Sequence, residues 1–187
     1  MARTPSKEAH EKVLAAALRL ISERGVEATS MDAIAVEAGV SKATVYKHWP
    51  GKDELLLEVI GTMQDTIPDF DSGDPRKDMT DFLAFMAHSK KRAELGRIWP
   101  RVISYAIGNP EFGKALQHHS FNPRRRQFDR ILKNAVRHKE IRPDVDLDIA
   151  IDLLFGPLMR RRFLNEEVPP GWPEQIVGYF WDTFKRR

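Results

Sequence analysis

The chain has 187 residues, with 30 Lys and Arg against 27 Asp and Glu, a length that suits one domain or a small domain joined to a larger one. It contains no Cys, which excludes disulfide scaffolds, Cys-zinc sites and thiol nucleophiles. Hydrophobic residues at 42% and charged residues at 30% make a globular composition, and the net charge of +3 is weak evidence by itself for a polyanionic partner.

Val13, Leu14, Ala17, Leu18 and Ile21 recur at helical spacing with Glu, Lys and Arg between them. They predict a helix over about 6–24, stopped by Gly25. Thr29-Ser30-Met31-Asp32 offers a hydroxyl cap and an acid for the first turn of a short second helix, which ends at Gly39. Ser41 caps a third short helix over about 42–49, and Pro50-Gly51 breaks it. Lys52-Asp53-Glu54 opens a fourth, expected to reach about residue 66, with Leu55, Leu56, Val59, Ile60 and Met63 as its apolar stripe. A polar connection over 68–75 follows. Five further helical stretches are expected at about 76–91, 93–107, 110–138, 146–165 and 171–186. Sustained period-two alternation is missing from the sequence, so the predicted fold is all-α with about nine helices. The predicted division is a helix-turn-helix domain over 1–51 and a helical domain over 52–187.

The longest runs without a charged side chain, 102–110 and 115–123, are far below the ~20 apolar residues of a membrane span. The N-terminal segment lacks an apolar signal core, so no export and a cytoplasmic location are expected.

Two short helices around Gly39 have the outline of a helix-turn-helix. Ile34, Ala35 and Ala38 can pack against Val40, Val45 and Trp49, and the small alanines permit close approach. Val45 and Trp49 share the inner face of the third helix. Lys42, Ala43, Thr44, Tyr46, Lys47 and His48 remain for the outside, and residues 38–52 hold no carboxylate. A surface that approaches phosphates would exclude carboxylates in this way.

The stretch from Ile34-Ala35-Val36-Glu37-Ala38-Gly39-Val40-Ser41 through Lys42-Ala43-Thr44-Val45-Tyr46-Lys47-His48-Trp49 to Pro50-Gly51-Lys52-Asp53-Glu54-Leu55-Leu56 resembles the DNA-binding domain of the TetR family of transcriptional regulators. Glu23-Arg24-Gly25 and Ala28-Thr29-Ser30 resemble the end of that domain's first helix and the turn after it. The resemblance covers about residues 10–57 without a gap. It implies a homodimer that lays its third helix, 42–49 here, in the major groove of a near-palindromic double-stranded DNA operator. Lys42 and Thr44 would then reach base edges or the adjacent backbone, and Ala43 a thymine methyl. Tyr46 and His48 would contact phosphates, and Lys47 a guanine or a phosphate. Lys52 would reach a phosphate at the positive end of the fourth helix, and Thr29 and Ser30 would do the same at the second. Ser41 is first a helix cap, with a phosphate contact in addition. Arg3 and Lys7 would form a flexible arm.

The resemblance further implies that the rest of the chain binds a small-molecule effector and makes the dimer. Apolar candidates for an effector pocket are Phe82, Phe85, Met86, Trp99, Ile103, Tyr105, Phe112, Phe121, Phe128, Phe155 and Met159. Each competes with a plain core role. Trp99-Pro100 is expected to break its helix locally. Leu147, Ile151, Leu154, Phe155 and Leu158, with Ile176, Phe180 and Phe184, form the stripes expected at the dimer interface, and Pro157 should kink the first of these helices. The basic cluster Arg124-Arg125-Arg126 reads as a solvated helix face. His118 and His119 are adjacent on a helix and do not point the same way, so neither a metal nor a cofactor is expected. A Walker loop, a nucleophile elbow and a His-Glu-x-x-His zinc motif are missing from the sequence, which argues against an enzyme. The expected function is a ligand-responsive regulator, most simply a repressor. The alternative is a DNA-binding regulator without a small-molecule effector.

Overall fold

The computed structural model describes residues 5–88, 90–164 and 166–186. Their regular elements are all helices, with no strand among them and one isolated antiparallel bridge, Ile141 to Lys185. The helices are α1 (Pro5–Arg24), α2 (Met31–Ala38), α3 (Lys42–His48), α4 (Lys52–Thr62), α5 (Pro75–His88), α6 (Lys90–Gly108), α7 (Pro110–Leu116), α8 (Asn122–Arg137), α9 (Leu147–Phe163) and α10 (Trp172–Phe184). Two compact units result. The first holds the chain up to Gln64 together with Arg97–Ser120, the second Asp65–Gly96 together with Phe121–Arg187. The first unit therefore runs past Gly51, the boundary expected from sequence, and takes in α4, the C-terminal part of α6, and α7.

In the first unit, α1 buries Val13, Ala17, Leu20 and Ile21 against Ile34 and Ala35 of α2 and against the α4 stripe of Leu55, Leu56, Val59 and Ile60. Burying each Val, Leu or Ile among them stabilises by about 1.5–3 kcal/mol. Gly39 stands at φ +65°. Its amide donates to the Val36 carbonyl and that of Val40 to the Ala35 carbonyl, both at 3.1 Å. This paired closure needs a left-handed residue, which glycine supplies without strain. It aims the chain into Ser41, whose side chain caps α3.

In the second unit, α5, α8, α9 and α10 enclose a core of Met79, Phe82, Leu83, Phe128, Leu132, Leu154, Leu158, Val177 and Phe180. Asp78 is buried and accepts the single Ser72 amide N–H on both carboxylate oxygens, which fixes the 68–74 connection.

Several boundaries differ from expectation. α4 stops at Thr62, one turn earlier than predicted, where Met63 begins a turn. The stretch 110–138 is not one helix. A π-helical turn, Gln117–Phe121, separates α7 from α8, and Pro123 opens α8 at a position where its missing N–H costs nothing. Pro100 does not break α6, and Pro157 lies inside α9.

Candidate nucleic-acid interface

α3 has seven residues and is short enough to need its neighbours. Its N-terminus is closed by Ser41, which accepts from the Thr44 amide at 3.1 Å and stands 2.8 Å from the Thr44 hydroxyl. Val45 and Trp49 are buried and anchor it to the unit. Lys42, Ala43, Tyr46, Lys47 and His48 are exposed and Thr44 half-buried, which is the division read from the sequence. Tyr46 is 50% exposed, a large aromatic surface left in water. Such a group costs little to dock against a sugar-phosphate backbone.

The second row of predicted contacts fares less evenly. Ser30 is exposed and caps α2, accepting from the Ala33 amide at 3.1 Å. Thr29 is only 2% exposed, and its hydroxyl donates to the Gly25 carbonyl at 2.7 Å. That hydroxyl holds the turn after α1 and has no access to a phosphate, contrary to expectation. Lys52 is also turned inward. Its Nζ donates to the Val26 carbonyl at 2.9 Å and lies 5.2 Å from the centre of the Tyr105 ring. Lys42 is paired with Asp32 of α2, which holds its ammonium above the usual lysine range, first by hydrogen bond and then by charge. Arg3 lies outside the described residues, and Lys7 sits exposed on α1.

Three residues behind this surface were not singled out from sequence. Glu58 of α4 accepts from the Trp49 indole at 2.7 Å, and its other oxygen stands 2.5 Å from His10 Nε2. Asp53 accepts from the Tyr105 hydroxyl at 2.7 Å. The missed signal was polar bookkeeping: a buried Trp needs an acceptor for its N–H. Tyr105 thus has a structural role, with its ring packed edge-on to Phe112 at 5.1 Å.

The eleven pocket candidates are divided between the two units. Trp99, Ile103, Tyr105 and Phe112 belong to the first unit; Phe82, Phe85, Met86, Phe121, Phe128, Phe155 and Met159 belong to the second. Phe82, Phe112 and Phe128 are fully enclosed, and Met86 nearly so, which makes them core in the first place. Phe155 packs edge-on to both Phe82 and Phe128 at 5.8 Å. Phe85, Phe155, Met159, Trp99 and Ile103 are half-buried, and Phe121 is exposed.

The predicted dimer stripes also face inward. Leu154, Leu158, Phe180 and Phe184 are buried in the core of the second unit, and Leu147, Ile151, Phe155 and Ile176 are half-buried against it. The apolar side chains left in water on α9 are Ile149, Leu153 and Phe163, with Leu164 just after it and Tyr179 on α10. The stripe read from sequence was the one the chain needs for its own core.

Arg125 reaches Asp148 at 2.5 Å and Arg130 pairs with Asp69, so two members of the basic α8 cluster are answered by acids of their own unit. Arg124 is pushed down to about 10 by burial first and then by the charge of Arg162, and stays charged at neutral pH. The His118 and His119 rings are edge-on at 5.5 Å, and no metal-binding group of residues occurs among the described ones.

A capped, anchored and acid-free helix presented to solvent after a glycine turn defines a helix-turn-helix DNA-binding protein. Comparison with known proteins agrees. Residues 13–59 match the bacterial regulatory proteins of the tetR family, and residues 69–180 match the tetracyclin repressor-like C-terminal domain. The chain is 29% identical over 170 residues to the HTH-type transcriptional regulator YdeS of Bacillus subtilis, covering 90% of this chain and 85% of that one. It is 29% identical over 169 residues to the DNA-binding transcriptional repressor TetR of Mycobacteroides abscessus, covering 88% and 87%. The solved structure of the flavonoid-responsive regulator FrrA superposes with a TM-score of 0.70 at 25% identity, covering 97% of this chain and 99% of that one. The chain belongs to the TetR family of transcriptional regulators. It is a DNA-binding regulator and not an enzyme.

Proposed function

We propose that this regulator is a homodimeric repressor, released from a near-palindromic operator by a small-molecule effector. The observation that carries the DNA-reading half is the outer face of α3. Lys42, Ala43, Thr44, Tyr46, Lys47 and His48 are presented together, without a carboxylate, on a helix held from behind by Val45 and Trp49. In this reading Lys42 exchanges Asp32 for DNA, Ala43 and Thr44 meet base edges, and Tyr46, Lys47 and His48 meet the backbone or a guanine. Ser30 and Ser41 add hydroxyls at two helix N-termini, where phosphates are favoured. Thr29 and Lys52 are left out of the contact set.

The dimer is proposed through the exposed face of α9 and α10. Ile149 and Leu153 stand one turn apart on it, with Phe163 further along, and exposed apolar patches of this kind mark interfaces. The effector is proposed to bind in the second unit and to act along α6, which starts there and continues into the first unit. The flavonoid-responsive neighbour and the repressor among the relatives support the effector and the sign of regulation. The enclosure of Phe82, Phe112 and Phe128 favours the second reading, a regulator without a small-molecule effector, because it leaves fewer side chains to line a cavity. No helix among the described residues is long and apolar enough to cross a membrane, and the proposed place of action is the cytoplasm.

Selection of bound DNA from a random library tests the core of this reading. Two inverted half-sites about one or more helical turns apart are the expected outcome. Failure to enrich any sequence would sink it. Titrating small molecules against the selected operator then separates the two readings: release by a bound compound supports an effector, and undiminished binding with the compound bound argues against it.

A further inference from the structure

Trp49 follows α3 directly and is 2% exposed, so its indole N–H needs a partner inside the protein. That partner is Glu58 Oε2, 2.7 Å away on α4. Glu58 Oε1 stands 2.5 Å from His10 Nε2 on α1. The His10 ring lies 4.6 Å from the Trp49 ring and 5.4 Å from that of His48. A single carboxylate therefore ties α1, α4 and the C-terminal end of the reading helix together, directly behind His48, an exposed member of the reading face. Two anchors hold α3, and they are one turn apart. Val45 is an apolar anchor that a short helix can pivot on. Trp49 is the one with a directed bond.

We propose that Glu58 is a positioning residue for DNA reading. Its carboxylate sets the tilt of α3 by clasping Trp49 and His10, and a displacement of α4 passes through it to the reading helix. This deepens the proposed function, since it rests on α3 being the element that meets DNA. α4 is itself held near its start, where Asp53 accepts from Tyr105 of α6. The clasp therefore lies on a covalent and hydrogen-bonded line from α6 to α3 within the first unit.

The test uses the full chain and the DNA that the wild type selects. Glu58→Ala is expected to weaken operator binding roughly tenfold, the scale of one lost hydrogen bond to a charged group. Binding to random-sequence DNA should fall much less, because the sequence-independent attraction of a basic surface to phosphate tolerates a changed tilt of α3 better than base contacts do. Trp49→Phe keeps a ring in the core and removes the N–H, and is expected to cost a similar factor. The double variant should be no worse than either single one. The indole resonance missing in Trp49→Phe identifies Trp49 by NMR, and it should move in Glu58→Ala. Glu58→Gln keeps an acceptor at the same reach and should recover most of the affinity. If Glu58→Ala does not fold, loss in Trp49→Phe with retention in Glu58→Gln upholds the clasp. Wild-type operator affinity in Trp49→Phe or in a folded Glu58→Ala overturns it, as do fully additive losses. A wild-type chain that selects no DNA fails the proposed function itself, and is seen before any variant is made.

Discussion

Lys52 stands at the start of a helix beside a DNA-reading head, yet its ammonium is taken up by the Val26 carbonyl and the Tyr105 ring. Both partners lie far from Lys52 in sequence and are already in place in the folded chain, whereas a phosphate arrives only on binding. Lys52→Met is expected to lower unfolding stability by about 1 kcal/mol. The salt dependence of operator binding should stay as in the wild type, as measured by titration at several ionic strengths. A slope lowered by about one would instead place Nζ on a phosphate. Tyr105 beside it is pushed up from 10.0 to about 12, by burial first and then by its hydrogen bond to Asp53. The unfolded chain releases this proton near its ordinary value, while the folded chain keeps it to about 12. The stability tied to the neutral form is therefore complete below pH 10 and is lost as pH rises towards 12. Tyr105→Phe should be less stable than wild type by about 1 kcal/mol at neutral pH. Its urea midpoint should fall less steeply between pH 10 and 12. Parallel curves for the two proteins would refute the assignment.

At the scale of the element, helix ends decide more than helix interiors. α8 closes with the Lys139 amide on the Val136 carbonyl and the Glu140 amide on the Ala135 carbonyl, both at 3.0 Å. It is the same paired closure that Gly39 provides for α2, but here the left-handed residue is a lysine at φ +63°. A side chain in that conformation is strained by about 1–2 kcal/mol, part of which glycine would return as added freedom of the unfolded chain. Lys139→Gly should raise stability by about 0.5–1 kcal/mol, read from the denaturation midpoint. A lowered midpoint would mean that the Lys139 side chain makes contacts that outweigh its backbone strain. The π-helical turn at Gln117–Phe121 is a different kind of end. It accommodates one extra residue where α7 passes into α8, and it contains Ser120, whose hydroxyl accepts from Gln64 at 2.8 Å. Ser120 within it and Asn122-Pro123 just after it are turn-forming residues that the reading of 110–138 as one helix passed over.

For the whole molecule, the question is which apolar stripe serves the chain and which serves a second copy. α9 carries both, on opposite sides. Leu154 and Leu158 are closed into the core, while Leu153 is 53% and Ile149 54% exposed. Leu153→Arg is expected to leave the thermal midpoint nearly unchanged and to yield a monomer by sedimentation. Leu154→Arg would bury an unpaired charge and should abolish folding. A Leu153→Arg protein that still sediments as a dimer would move the interface elsewhere.

Local chemistry in the sequence determined a good deal. Caps at Ser30 and Ser41, glycines at Gly25 and Gly39, and apolar spacing along α1 to α4 specified the helix-turn-helix and the outer face of α3, because each depends on residues within a few positions of one another. The all-α class followed from periodicity for the same reason. Tertiary structure alone decided what happens to side chains with a choice of partners. Lys52 had an ammonium suited to phosphate and spent it on the carbonyl of Val26, 26 residues away. Glu58, which local sequence did not single out, is the acceptor of a buried indole nine residues away. Leu154 and Leu158 looked like an interface and became core. Hydrophobicity and charge fix what a residue can do. Which of several equally apolar or polar neighbours it meets is set by long-range packing, and a linear pattern carries no record of that.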